Sequence, residues 1–383
     1  MRVLILGGRA PAALEIARRF ALQRADVHIA DSVPCRVSSW SRAVTAAHSF
    51  APPRHALAQF AKDIASLIQT QRLDMVVPTC EEVFYLSRIR GQLPASCNIF
   101  TVSFDQLREL HSKWRFLILA QGCGAFVPAS VCVDNIAAAR EWAAGRPVVL
   151  KPEYSRFGVH VRLYRNGIPA DAPPLPPLGR WVAQEFQLGR ELCSYSVAVA
   201  GQLTAHVVYE PRYRLGNSSS YYFEAVRDTA IEEFVRLFVA KIGFTGQISF
   251  DWIRGDSNRI SVLECNPRAI SGVHLFADSD LLPHAITGES QSLVTCTSTT
   301  PRMLAPVMLV AGLPQALRSG TFGRWLHDWR RAKDVLSIPG DRMPLPGAAW
   351  DIASFTAAAA RRRTSVREAS TRDIEWDGEE LTE

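Results

Sequence analysis

The chain has 383 residues, of which 48% are hydrophobic and 21% charged, with a formal net charge of +6. This is an ordinary globular composition with material for about two to three domains. The modest positive charge suits an anionic small molecule without implying nucleic acid. No apolar run reaches the ~18 residues a membrane helix needs. The opening MRVLILGG is too short for a secretory signal and reads as a buried first strand. Eight cysteines, at 35, 80, 97, 123, 132, 193, 265 and 296, form no CxxC and no Cys/His cluster. That argues against zinc and against a disulfide framework, and scattered thiols point to a reducing cytoplasm.

Residues 1–110 alternate strand and helix signals: strands at 3–6, 27–30 and 75–78, and amphipathic helices at 10–23 and 56–69. That pattern predicts βαβ units and a parallel sheet. The Gly7-Gly8 pair follows the first strand, but GGRAPA lacks the spaced glycines of a dinucleotide fingerprint. A tight strand-to-helix turn is therefore favoured over a bound NAD. Glu81 and Glu82, after the Met75 strand, lie where open α/β sheets tend to bind ligands. They would equally suit a helix N-terminus. A helix is expected over 105–121, capped by Asp105 and stopped by Gly122, with Lys113 on it. A lysine on a helix is ordinarily solvated.

A second unit begins near 125–133. Asp134 is placed to cap a helix over 136–144, and a strand over 148–150 ends on Lys151. A lysine directly after a buried run, followed by a turn into a strand at 159–163, suits a phosphate clamp. The turn Ser155–Gly158 has one glycine, so its cradle is less open than a glycine-rich loop. Residues 168–179 are proline-rich and read as an extended surface excursion. A strand over 181–186, a turn at Gly189-Arg190-Glu191, and strands over 192–200 and 203–209 joined by Gly201-Gln202 come next. Arg212 and Arg214 then flank a mobile Ser/Gly/Asn-rich loop, as a receptor for an anionic substrate or as plain surface charge. A helix is expected over 229–242.

The stretch 246–272, GQISFDWIRGDSNRISVLECNPRAISG, predicts a hairpin: strands at 248–253 and 260–265 around the turn Arg254–Arg259. Asp251 and Glu264 fall thirteen residues apart, one per strand, and Asn266 shares a face with Glu264. Two carboxylates and an amide oxygen with no Cys or His make a hard-oxygen site suited to Mg²⁺. Arg268 just beyond offers a planar fork for phosphate or carboxylate. Past Gly272, His274 and His284 lack a partner at metal-ligand spacing. A strand is expected over 307–311, an amphipathic helix over 322–336 packed on the preceding domain rather than on a membrane, and a basic helix over 357–363. The acidic end from Glu375 is expected to fray.

Together these features, spread over residues 1 to about 300, resemble the ATP-grasp superfamily, in the branch near carbamoyl-phosphate synthase large subunits and other carboxylate–amine ligases. The resemblance implies a mixed α/β and α+β fold. It comprises a Rossmann-like domain (1–110), a linker helix and lid (111–188), an antiparallel core with the metal site (189–300) and a C-terminal extension (301–383). It implies that Lys113 and Lys151 contact ATP phosphates, and that QEFQLGRE is an adenine hinge. In that hinge Gln184 or Glu185 meets the adenine amino group, Phe186 to Leu188 supply backbone contacts and Glu191 takes the ribose. Asp251, Glu264 and Asn266 would hold Mg²⁺, two ions with Mn²⁺ able to substitute, and Arg268 would contact the transferred phosphate or the acyl phosphate. Glu81, Glu82, Arg212, Arg214, Ser271 and Gly272 are the substrate-side candidates. The implied reaction makes an acyl phosphate from a carboxylate and passes the acyl group to an amine, with small-molecule partners and a homodimer compatible with the fold. A thiol or hydroxyl acceptor, or a binding module without turnover, are the alternatives. An NAD-dependent oxidoreductase is disfavoured by the missing glycines.

Overall fold

A computed structural model describes residues 1–383 except 157, 159, 216–219, 257–258 and 382–383. Parts of four sequence expectations therefore lie outside the described residues: the turn 155–158 with the start of its strand, the loop after Arg214, the hairpin turn 254–259 and the last two residues of the acidic end.

Among the described residues three sheets organise the chain. The first is parallel, in the order Ala46–Ser49, Asp26–Asp31, Arg2–Leu6, Met75–Val77, Asn98–Ile99. Its central strand is apolar on both faces because helices cover both. Val3 and Ile5 join the core of helix Pro11–Leu22, through Ile16 and Phe20, while Leu4 and Leu6 join that of helix Leu57–Gln71, through Phe60 and Ile64. The second sheet is small and antiparallel, ordered Ser130–Val133, Trp181–Glu185, Val148–Pro152, Arg162–Tyr164. The third is large. Its path runs Ile260–Asn266, Gly246–Arg254, Arg190–Val199, Gln202–Arg214, Ser220–Val226, Arg302–Met303, Lys333–Asp334. Alternation along Gly246–Arg254 sends Ile248, Phe250 and Trp252 into the core of helix Thr229–Lys241 and leaves Asp251 on the opposite face.

Several expectations are corrected. The helix expected over 105–121 is two helices, Phe104–His111 and Arg115–Gly122, and Ser103 rather than Asp105 caps the first, accepting from Gln106 N at 3.4 Å. The break falls at Ser112–Trp114, where Ser112 Oγ bonds the Glu153 carboxylate and Lys113 N donates to Glu153 O at 3.1 Å. Asn135, not Asp134, caps the helix Ile136–Ala143. Arg190 and Glu191 belong to a strand rather than a turn, and so do Arg212 and Arg214. The apolar run 307–311 is helical: it lies within consecutive turns Ala305–Val307, Met308–Gly312 and Leu313–Arg318. A short apolar run does not separate strand from buried helix by itself. Helix Phe322–Arg331 stops before Lys333–Asp334, because Val335 and Leu336 are needed in the core against Leu14. The basic helix over 357–363 is the end of a longer one, Pro344–Arg362. Up to Leu381 the acidic end is packed rather than frayed, with Trp376 1% exposed.

Residues 335–341 pack back onto helix Pro11–Leu22. Buried Arg18 donates to Asp341 Oδ2 at 2.8 Å and to the carbonyl of Val335 at 2.7 Å. Among the described residues no helix is long and apolar enough to cross a membrane. All eight cysteines are free.

Candidate functional site

The hairpin Gly246–Arg254/Ile260–Asn266 places Asp251 directly opposite Glu264 in the ladder, and Ser249 opposite Asn266. Past that pair the register shifts, with Trp252 facing Val262. The extra residue is Leu263, and a bulged residue has no ladder partner. Its carbonyl accepts instead from Lys151 Nζ at 3.3 Å. Lys151, at the end of strand Val148–Pro152, thus ties the small sheet to the hairpin beside Glu264.

Charge is concentrated here. Lys113 and Lys151 are buried, and Asp251 and Glu264, half-buried, face each other across the ladder. Burial and then the facing Glu264 carboxylate hold the Asp251 carboxyl above the usual range. Burial would raise Glu264 too, but Lys113, Lys151, Asp251 and Arg268 outweigh it and hold its carboxyl below the usual range. Burial lowers both lysines, with Glu264 opposing, and Lys151 falls to about 8. Lys113 is not on a solvated helix face. It sits in the helix break with Nζ donating to Ser155 O at 2.7 Å and to Ser155 Oγ at 3.2 Å. Cys193 Sγ donates to Asp251 Oδ1 at 3.1 Å.

Among the described residues no group of three His, Cys, Asp or Glu side chains gathers for a metal. The donor set is the carboxylate pair with Asn266. Two carboxylates facing each other in a half-buried site, hard oxygens throughout, fit a divalent cation that would relieve their repulsion. Asn266 is partly engaged: its Oδ1 accepts from Arg268 at 3.2 Å.

Arg268 also faces Glu81, Nε to Oε1 at 3.6 Å. Glu81, 0% exposed at the carboxyl end of the parallel sheet, meets a second guanidinium, Arg156, at 3.3 Å. Arg156 escaped the sequence reading because the turn carrying it has no periodic signal, and only the fold brings it to Glu81. The two adjacent glutamates divide the alternatives left open for them. Glu81 points into the site, whereas Glu82 accepts from Thr79 N and Cys80 N, each at 2.8 Å, and closes the start of its own helix.

The hinge candidates are spread out. Gln184 is buried, accepting from Lys151 at 3.0 Å through Oε1 and donating to Ser130 Oγ at 3.3 Å through its amide nitrogen. Glu185 is half-buried. Phe186 lies under the Arg165 guanidinium at 4.8 Å, and Leu188 is 70% exposed. Glu191 is exposed and paired with Arg214. Arg212 turns away, to Glu224 at 2.9 Å and Glu210 at 3.6 Å, which favours the surface-charge reading for it. Ser271 starts a short 3-10 turn. Gly272 is a packing position: a Cβ there would lie 2.6 Å from Tyr195 Cβ. His274 is a buried residue against Glu15, at 3.5 Å.

No family model matches the chain, and no curated protein sequence matches it. Solved structures do. An N5-carboxyaminoimidazole synthetase from Staphylococcus aureus, complexed with ADP, is 14% identical over 83% of this chain and 86% of its own, with a TM-score of 0.62. A biotin carboxylase from Campylobacter jejuni is 13% identical over 74% of this chain and 70% of its own, TM-score 0.61. An L-amino acid ligase from Bacillus licheniformis is 15% identical over 72% and 68%, TM-score 0.55. At such identities the likeness speaks for architecture, and the architecture of this chain is the ATP-grasp fold.

Proposed function

We propose that the protein is an ATP-dependent ligase that activates a substrate carboxylate as an acyl phosphate and joins it to an amine, releasing ADP and phosphate. One observation carries the reading. Two buried lysines and Arg268 act on Glu264, which stands opposite Asp251 in the ladder. Such an arrangement suits a polyphosphate bound with a divalent cation. Phosphoryl transfer asks a protein for alignment and charge neutralisation rather than for a covalent group. The likeness in fold to a synthetase solved with ADP and to an L-amino acid ligase supports it.

In this reading Lys113 and Lys151 face the phosphates, while Asp251, Glu264 and Asn266 would hold Mg²⁺, which would neutralise phosphate charge. Glu185 to Leu188 line the adenine side, and Glu191 takes the ribose once released from Arg214. Gln184 serves as the support that orients Lys151. A carboxylate oxygen attacks the γ-phosphorus and the bond to the ADP oxygen breaks. The amine nitrogen then attacks the acyl carbon, the carbon–oxygen bond to phosphate breaks, and the nitrogen loses a proton. Arg268 is aimed at the transferred phosphate. Residues 111–188 serve as the lid over 189–300 and exclude water from the acyl phosphate. The deciding experiment is a matrix of carboxylates and amines with Mg·ATP, read as ADP release. ADP release that needs one member of each class supports the ligase. Release with thiols or alcohols in place of amines reassigns the acceptor. Absence of Mg·ATP binding by calorimetry removes the reading altogether.

A further inference from the structure

The C-terminal segment 373–379 has no role in the reading above, yet it is anchored on every side. Arg9 donates to both carboxylate oxygens of Asp373, at 2.7 and 2.6 Å. Arg54 pairs with Asp377 at 2.8 Å and Glu379 at 3.0 Å. Tyr85 Oη donates to Glu375 O at 2.7 Å. The Trp376 ring fills an aromatic box of Phe84, Phe104, His111 and Tyr154, with centroids 4.9, 5.4, 6.1 and 5.0 Å away. An acidic segment repels itself and stays solvated unless specific partners hold it. Here cations from two N-terminal loops and a buried indole do so.

Two threads run from this segment to the site. Trp376 N donates to Glu81 Oε2 at 3.2 Å, on the carboxylate that faces Arg156 and Arg268. Gly378, at φ +92°, lies flat on Tyr154, and a Cβ there would overlap the Tyr154 ring. Tyr154 sits between Glu153 and Ser155. Glu153 O accepts from Lys113 N at 3.1 Å, and Ser155 O from Lys113 Nζ at 2.7 Å.

We propose that segment 373–379 is a positioning strap for the active site, which sets Lys113 through Tyr154 and sets the Glu81–arginine group through the Trp376 backbone. Its residues touch no reacting atom. The strap fixes where the phosphate-side lysine and Arg268, held with Arg156 on Glu81, stand relative to each other, across the join between the parallel sheet and the small sheet. This rests on the ligase reading.

The test uses the full chain and two probes, Mg·ADP and adenosine, titrated by calorimetry into wild type, Trp376→Ala and Gly378→Ala. Displacing Lys113 should weaken Mg·ADP by about tenfold, the worth of one charged hydrogen bond. It should leave adenosine within about twofold, because adenosine has no phosphate for Lys113 to meet. Trp376→Phe keeps a ring in the box and should restore most of the Mg·ADP affinity. A strap that merely braces the fold would weaken both probes together, and that result overturns the proposal. So does unchanged Mg·ADP affinity in both variants. Where Trp376→Ala fails to fold, Gly378→Ala decides: the three atoms nearest its added Cβ all belong to Tyr154, and the backbone strain of a φ of +92° is local to the strap. Wild-type protein that binds no Mg·ADP overturns the nucleotide reading and this inference with it. Wild-type binding with unshifted variants overturns this inference alone.

Discussion

Replacing Glu264 by Gln is the sharpest probe of the site, because it keeps shape and removes one charge. Glu264 faces Asp251 across the ladder and is acted on by Lys113, Lys151 and Arg268. With a neutral amide in its place the proposed cation would lose one of its two carboxylates, and Lys151 would lose the group that most opposes its burial. A hydrogen bond or ligand contact to a charged group contributes about 1.5–3 kcal/mol, which corresponds to about 10- to 150-fold in affinity. The effect should appear only when the metal is present. Calorimetric titration of ADP in Mg²⁺ and again in EDTA separates the two. Wild type should bind more tightly with Mg²⁺. The variant should lose most of that increment while its EDTA value stays within about threefold, and ADP formation in the substrate matrix should vanish. If Glu264→Gln keeps the full Mg²⁺ increment, the metal does not sit on this hairpin and the argument from the paired carboxylates fails.

Lys151, lowered to about 8, must be protonated to attract phosphate. ADP affinity should therefore fall as pH rises past about 8, and Lys151→Met should abolish that fall. The folded-state shift has the opposite consequence for stability. The unfolded chain holds this proton up to its ordinary value of 10.5, so this group's contribution to stability rises between pH 8 and 10.5, a trend the same Met variant should lose in pH-dependent urea titrations. Gly272→Ala should cost about 1–3 kcal/mol by overpacking against Tyr195 and Tyr209, read as a lower urea midpoint with unchanged slope. Arg18→Met should cost about 3–5 kcal/mol by taking the guanidinium from Asp341, which keeps only the neutral donors Ser41 Oγ and Arg42 N, and from three backbone carbonyls, measured the same way.

What the sequence made legible here is what short-range rules govern. The hairpin could be read because alternation fixes faces and a short turn fixes register, so Asp251 and Glu264 had few other places to meet. Lys151 was legible as a lysine ending a buried strand. Lys113 was harder. Its helix pattern is sound on both sides, and what interrupts it is Glu153, forty residues on, which captures Ser112 and the Lys113 amide. Arg156 and Trp376 were out of reach because their meaning depends on Glu81, and no local periodicity links residues 81 and 376. The tail did carry one signal: a tryptophan set among acidic residues asks for burial that a fraying end cannot give.

The ion pair between Arg9 and Asp373 joins residues 364 positions apart. Contacts of such long sequence separation form late in folding, after the entropy of closing the intervening chain has been overcome. The N-terminal sheet can assemble early from its own βαβ units, but Arg9, Arg54 and Glu81 then wait for partners that lie at the far end of the chain. The parallel sheet is accordingly finished only by the far end of the chain. Removing segment 373–379 would leave the sheet's carboxyl edge without these partners, with an aromatic slot around Phe84 open to self-association.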